Sequence, residues 1–380
     1  MIYSIDGVST VEAYDVAGTS LQYAYDIDGN QILDEPDYDE WTTEYQHTIL
    51  QARDAWKTEY RADNTIVPIL VHTDQHNRLK AATKPTFDYL KLAVKWPEVS
   101  AIIGLGDVCG NLYNTTDLNN MLTALSSIPA EKQINIQGNH DNWLTIDDPI
   151  NDETFTLTKQ NYFNNSAYHG NVSYGNRGNE IMIDEEHSIK YLCVSCFYFL
   201  NGTNYKWTIP TADMTWILNQ MSTVDDYDIV VLSHIQPLGS LRMWYVPAVD
   251  GNPASSSQTA RNGQGLAPWG WSGLFEGLAH ARKNKASGTI TDSEGVTHSF
   301  DFSGCRSDLL CWLCGHHHAD TYAYDDGDVP IILFDSYSYA NYPLYMVNID
   351  RTMERVNVWK FDEAGNIYNY QVPFTEPVSV

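Results

Sequence analysis

The stretch IVPILVHTDQH (residues 66–76) decides how the rest of the chain is read. Residues 66–71 are a short apolar run rich in β-branched side chains, too brief for a helix and suited to a fully buried strand. Immediately after it come His72, Asp74 and His76. The same arrangement recurs along the chain. The run at 101–105 is followed by Gly106-Asp107, and the run at 133–136 by Gly138-Asn139-His140-Asp141. The run at 228–232 leads into Ser233-His234, and that at 309–313 into Gly315-His316-His317-His318. Helical periodicity over residues 41–60 precedes these strands, and helices expected at 87–95, 117–125 and 212–221 alternate with them, which predicts an α/β core. Each strand thus ends on metal-capable groups, where α/β sheets gather their sites.

The spacing carries chemistry. Asp74 and His76 are two residues apart, as are His316 and His318, so each pair points the same way from extended backbone. Asp107 has two carboxylate oxygens with which to bridge two cations, while imidazoles and the Asn139 amide fill other positions. Mixed nitrogen and oxygen ligation suits manganese, iron, zinc or nickel better than magnesium or calcium. Glycines at 106, 138 and 315 are expected to turn the backbone sharply and face the next side chain to the site.

Taken in order, D-x-H, G-D, G-N-H-D, H and G-H-x-H resemble the motifs of the calcineurin-like metallophosphoesterase superfamily, across roughly residues 66–320. That resemblance implies a β-sandwich of two mixed sheets flanked by helices, with a dimetal site at one edge. It implies a first metal held by Asp74, His76, Asp107 and His318. A second would be held by Asp107, Asn139, His234 and His316. His140 would act as general acid or phosphate contact, oriented by Asp141. Two divalent transition-metal ions, manganese first among them, would make the chain a phosphoester hydrolase. A phosphodiesterase is preferred, because D-x-H with G-N-H-D looks more like the diesterase branches. In many relatives the G-D motif continues to another acidic or amide residue, a place for which Asn111 is the candidate here. His72 and His317 adjoin the motifs and join Asn111 as candidate substrate contacts. The purple acid phosphatase branch replaces the first histidine and adds a tyrosine after G-D; His76 and the missing tyrosine set that branch aside.

Composition narrows the partners. Lys and Arg number 22 against 49 Asp and Glu, a formal net charge of −27. Such a surface repels nucleic-acid backbones and anionic membranes, so an anionic substrate must be drawn in locally, most simply by cations. No apolar run reaches the roughly 18 residues of a membrane span. The opening MIYSIDGVST has neither a basic nor an apolar region, so no secretory signal is expected and the chain is read as cytoplasmic or virion-associated. Cys193 and Cys196, and Cys311 and Cys314, are spaced C-x-x-C, yet in strand text residues three apart face opposite ways. Buried free thiols are expected rather than a zinc site.

Residues 1–37 read as an N-terminal hairpin or arm with a turn at Asp28-Gly29, and residues 38–380 as the catalytic domain. Gln31 stands where a calcium loop would need glycine. Within the domain, 236–303 reads as a loop-rich insertion near the site, carrying one helix over 274–283. A second reading concerns assembly. The tyrosine-rich opening resembles the starts of structural proteins from phages of gut bacteria. That implies a virion or cell-surface component, carried to cleave or bind host surface phosphodiesters or glycans, with residues 1–37 attaching it to a homo-oligomer or to virion neighbours. His47, His169, His187, His280 and His298 are read as structural, and the tryptophans of the insertion as pins for an irregular loop.

Overall fold

The computed structural model describes residues 24–25, 31–32, 50, 53, 56, 64–75, 96, 98–107, 128–129, 132–136, 138, 172–174, 180–194, 198–199, 205–206, 211–235, 244–245, 272–292, 295–316, 320–325, 329–334, 345–361 and 367–375. Strand β1 (Ala24–Tyr25) pairs antiparallel with β2 (Gln31–Ile32). Next come β3 (Ile66–His72), β4 (Ala101–Gly104), β5 (Gln133–Asn135), β6 (Val172–Tyr174), β7 (Glu180–Asp184) and β8 (Ile189–Cys193). β9 (Tyr198–Phe199) pairs with β10 (Tyr205–Lys206). Helix α1 (Thr211–Met221) precedes β11 (Asp228–Ser233) and β12 (Trp244–Tyr245). Helix α2 (Ser272–Lys283) leads to β13 (Ser287–Thr291) and β14 (Thr297–Asp301), then β15 (Leu309–Cys314), β16 (Thr321–Asp325) and β17 (Val329–Leu333). β18 (Tyr345–Asp350), β19 (Arg355–Phe361) and β20 (Ile367–Pro373) follow.

These strands build two mixed sheets. One runs β20-β19-β18-β3-β4-β5, parallel from β3 to β5 and antiparallel elsewhere. The other runs β12-β16-β17-β15-β11-β8-β7-β6, with β8, β11, β15 and β17 parallel at its centre. The two face each other. Val67, Ile69 and Val71 of β3, with Val347 and Ile349 of β18, share one apolar cluster with Tyr191 and Cys193 of β8 and Val230 and Leu232 of β11. The alternate residues Leu192, Ile229 and Val231 point outward into a second cluster. A strand buried on both faces shows no polar alternation, which is why these segments read as continuous apolar runs.

The outer cluster is closed by the helices. Met214, Ile217, Leu218 and Met221 of α1 recur at spacings of three and four and all face the sheet. Leu278, Ala279 and Ala281 of α2 join the same cluster. Arg282 and Lys283 fall in the last turn of α2, where cations complement the helix dipole. Lys285 then adopts a left-handed φ of 52°, and the N–H groups of Lys285 and Ala286 donate back to Arg282 and Ala281 at 3.2 and 2.9 Å, a Schellman stop.

Register decides the cysteine question for one pair. Leu310 is an extra residue in β15, since Ile229 pairs with Leu309 but Val230 with Cys311. Leu310 and Cys311 therefore both face the inter-sheet cluster, and Cys314 faces the helices. Cys311 and Cys314 are buried free thiols on opposite sides of one sheet.

Residues 236–303 contain more regular structure than one helix: besides α2 they hold β12 and the hairpin β13–β14. The hairpin escapes a pattern-based reading because SGTIT and THSFD are largely exposed and lack apolar alternation. In the stretch 41–60, Leu50, Arg53 and Trp56 are helical. The helices expected at 87–95 and 117–125 lie outside the described residues.

Candidate metal centre

The carboxyl ends of β3 and β4 in one sheet and of β11 and β15 in the other meet at a single edge. Four hydrogen bonds stitch that edge together. Asp74 N–H donates to the Gly106 carbonyl at 2.9 Å, and Gly315 N–H to the His234 carbonyl at 3.0 Å. His316 N–H donates to Asp74 Oδ2 at 2.9 Å, and His234 Nδ1 lies 2.6 Å from the Leu105 carbonyl. The sequence folds this way because each buried strand must stop where its apolar run stops. The first polar residues after it are then delivered to the same rim.

Asp74, Asp107 and His316 all adopt left-handed backbone, with φ of 54°, 52° and 69°. None is glycine, and each such residue costs on the order of 1–3 kcal/mol unless its surroundings hold it. Three of them at one rim mark a place where geometry outranks local comfort.

Asp74 is fully buried, and its Oδ2 accepts from Thr73 Oγ1 at 2.6 Å as well as from His316 N–H. A carbonyl can only accept, so His234 carries a proton on Nδ1 and turns Nε2 toward Asp107 Oδ2, 3.2 Å away. Burial pushes the His234 pKa down, but the charges of Asp107 and Asp74 and the bonds to Asp107 and Leu105 outweigh it, raising it to about 9. The ring is thus held cationic in front of two buried carboxylates.

That arrangement is what a divalent ion would replace. Ligand atoms of Asp107, His234 and His316 lie within 4.8 Å of one another, and the His234 and His316 rings meet edge to face at 5.1 Å. Ligand atoms about 2.0–2.2 Å from one ion stand at most about 4.4 Å apart, so a small contraction closes the set on a cation. One carboxylate and two imidazoles are the donor types of a transition-metal site. The residues fit the group.

Of the expected site residues, His72, Asp74, Asp107, His234 and His316 are described. His76, Asn111, Asn139, His140, Asp141, His317 and His318 lie outside the described residues. His72 is only 2 % exposed and its Nδ1 lies 3.0 Å from Gln75 Nε2. Burial pushes its pKa down to about 4, outweighing its hydrogen bonding with Gln75 and Asn135, so the ring is neutral at pH 7.

The glycines act differently from expectation. Of the three, Gly106 turns left-handed, at φ 92°. Gly138 and Gly315 are needed for space instead. A Cβ at Gly138 would overlap Asp107 Oδ1, and one at Gly315 would overlap Thr73 Oγ1 and come within 2.7 Å of Asp74 Oδ2.

Two contributors are not visible from spacing. Thr73 donates to Asp74, which its place inside H-T-D could have suggested. Asp320, just before β16, reaches the opposite sheet: it accepts from Tyr345 OH at 3.0 Å and is ion-paired with Lys360. Tyr345 pairs with Val71, near the end of β3, so Asp320 is tied to the same rim.

No family model matches this chain, and no curated protein matches it. Solved structures with a similar trace exist. One is a purple acid phosphatase from seeds of yellow lupin (Lupinus luteus), at 11% identity and a TM-score of 0.42. The match covers 81% of this chain and 54% of that one, so the chain spans about half its length. Another is the protein TT1561 of Thermus thermophilus, at 11% identity and TM-score 0.38, covering 80% of this chain and 98% of that one. A third is GAP50, the anchor in the inner membrane complex of Plasmodium, at 12% identity and TM-score 0.44, covering 82% and 90%.

Proposed function

We propose that the chain is a metal-dependent phosphoester hydrolase, acting on a phosphodiester in preference to a monoester. The observation that carries this reading is the meeting of Asp74, Asp107, His234 and His316 at one rim, from four strands of two sheets. They arrive there in the motif order D-x-H, G-D, H, G-H-x-H. A purely structural polar cluster has no reason to collect two carboxylates and two imidazoles on strained backbone at strand ends.

Asp74 and Asp107 set the charge of the centre, and with His234 and His316 they would hold two divalent ions, manganese preferred. His76, Asn139 and His318 complete that set by the motif. Such ions, when bound, clamp a phosphoryl group and make water a nucleophile at neutral pH. The protein's own part is to keep ligands rigid and the rim narrow. His140 is assigned proton donation to the leaving oxygen, a role of about 10²–10⁴ in rate, with Asp141 orienting it.

The experiment is hydrolysis of bis-p-nitrophenyl phosphate and of p-nitrophenyl phosphate with added Mn²⁺, beside Asp107→Asn. Turnover of the diester above the monoester, lost in the variant, is expected. Absence of turnover of both esters by chain that binds Mn²⁺ would sink the hydrolase reading.

A further inference from the structure

Gly104 leaves a gap in the sheet directly behind the candidate centre. Register places it between His72 on β3 and Asn135 on β5, the last paired residues of their strands. A Cβ at Gly104 would lie 2.8 and 2.9 Å from Cε1 and Nε2 of His72, and would overlap Asn135 Oδ1. Imidazole and amide therefore occupy the volume a side chain would take. The polar line continues in both directions. Asn135 Nδ2 donates to Gln133 Oε1 at 2.8 Å, and Gln133 Nε2 to the Ile128 carbonyl at 2.8 Å. On the other side His72 Nδ1 is bonded to Gln75 Nε2 at 3.0 Å.

All four side chains are at most 3 % exposed, inside a sheet whose neighbours are apolar. Burying so many polar groups costs free energy that valine and leucine would not, so their presence asks for a reason. Position supplies one. The His72–Gln75 bond spans a single short loop, and Asp74 sits within it in a left-handed conformation. Asp74 N–H and Oδ2 are already tied to Gly106 and His316. What remains to be fixed is the chain on the far side of Asp74, and Gln75 is that residue.

We infer that His72 is a positioning residue: seated in the gap left by Gly104, it holds Gln75 and so locks the turn that aims Asp74 at the metal centre. This rests on the metal reading of the site. It gives His72 a task that needs no contact with substrate, and it explains why Gly104 precedes the G-D motif by two residues.

The test is direct Mn²⁺ binding to the full chain, with free Mn²⁺ counted by electron paramagnetic resonance and unfolding of metal-free protein followed in parallel. Gln75→Met keeps the volume and removes the donor. A loss of about tenfold in Mn²⁺ affinity is expected, within the range typical when a group supporting a ligand is removed. His72→Asn serves if that variant does not fold, with the same expected loss. The double variant should bind no more weakly than the worse single one, because both act through one bond. A folded Gln75→Met or His72→Asn chain with Mn²⁺ affinity within twofold of the parent overturns the proposal, as does a double variant whose losses multiply. Asp74→Asn separates the two levels. If it too leaves Mn²⁺ binding intact, the metal reading fails and takes this proposal with it. If it abolishes binding while the His72 and Gln75 variants do nothing, positioning alone is wrong.

Discussion

His316 N–H donates to Asp74 Oδ2 at 2.9 Å, joining two residues 242 positions apart that follow strands of different sheets. The same oxygen accepts from Thr73 Oγ1 at 2.6 Å. One carboxylate oxygen is thus spent on architecture, and it fixes how Asp74 faces the rim.

Thr73→Val should expose how much that second bond matters. The change is nearly isosteric and removes one donor to a buried carboxylate, which costs about 1–3 kcal/mol of stability. Metal affinity should fall roughly tenfold, since an Asp74 carboxylate held by one bond fewer is a poorer ligand. Chemical denaturation and Mn²⁺ titration of the same sample check both. Unchanged affinity in a destabilised variant would mean that Thr73 serves the fold alone.

Metal uptake should release a proton. The His234 pKa is raised from 6.5 to about 9, so its ring is charged at pH 7.5 in metal-free protein. A cation needs the Nε2 lone pair, so about one proton leaves His234 on binding. Affinity therefore rises with pH up to about 9 and levels off above it. Calorimetric titration in two buffers of different ionisation enthalpy measures this release. Heats independent of buffer would show that His234 is neutral beforehand or is no ligand.

How much of this was legible in the sequence depends on burial. β3, β4, β11 and β15 announce themselves because both faces are covered and the run is largely apolar. The hairpin β13–β14 does not, because both its faces are wet. The pairing of β18 with β3, which joins Asp350 to Ile66, is a long-range choice that no local pattern encodes. The site divides in the same manner. Asp74, Asp107, His234 and His316 could be read from strand ends, since position along the chain is what places them. Gln75 and Asn135 could not, because their roles depend on which residues lie across Gly104 in neighbouring strands. Gly138 reads as a flexible turn, whereas its function is to leave room for Asp107.

Gly138→Ala puts that last point to trial. With no left-handed φ to maintain there, an alanine is tolerable to the backbone and intolerable to Asp107 Oδ1 and N, which its methyl would overlap. Relief requires Asp107 to move, at a cost of about 1–3 kcal/mol. Mn²⁺ affinity should fall by roughly tenfold or more, because Asp107 is the residue displaced. Thermal unfolding together with Mn²⁺ titration gives both numbers. Wild-type affinity in Gly138→Ala would mean that Asp107 has slack or is not a ligand.

The opposite end of the sandwich governs acid stability. Asp184 accepts from His187 N–H at 3.1 Å and from His187 Nδ1 at 2.9 Å, in the turn between β7 and β8. Burial pushes its carboxyl up, but the hydrogen bond and charge of His187, with help from Ser100, leave it below the ordinary 3.8. A depressed carboxyl contributes stability that is complete above the unfolded value and disappears as pH falls through the folded one. The window is therefore below about pH 4. Asp184→Asn should be less stable than the parent by about 1–2 kcal/mol at pH 7, having lost a charged acceptor. The gap should close as pH drops toward about 3, because the parent protonates Asp184 and the variant has nothing left to lose. Urea midpoints from about pH 7 to about pH 3 follow the difference. A gap that stays constant over that range would show that the Asp184 carboxylate is not what His187 holds in place.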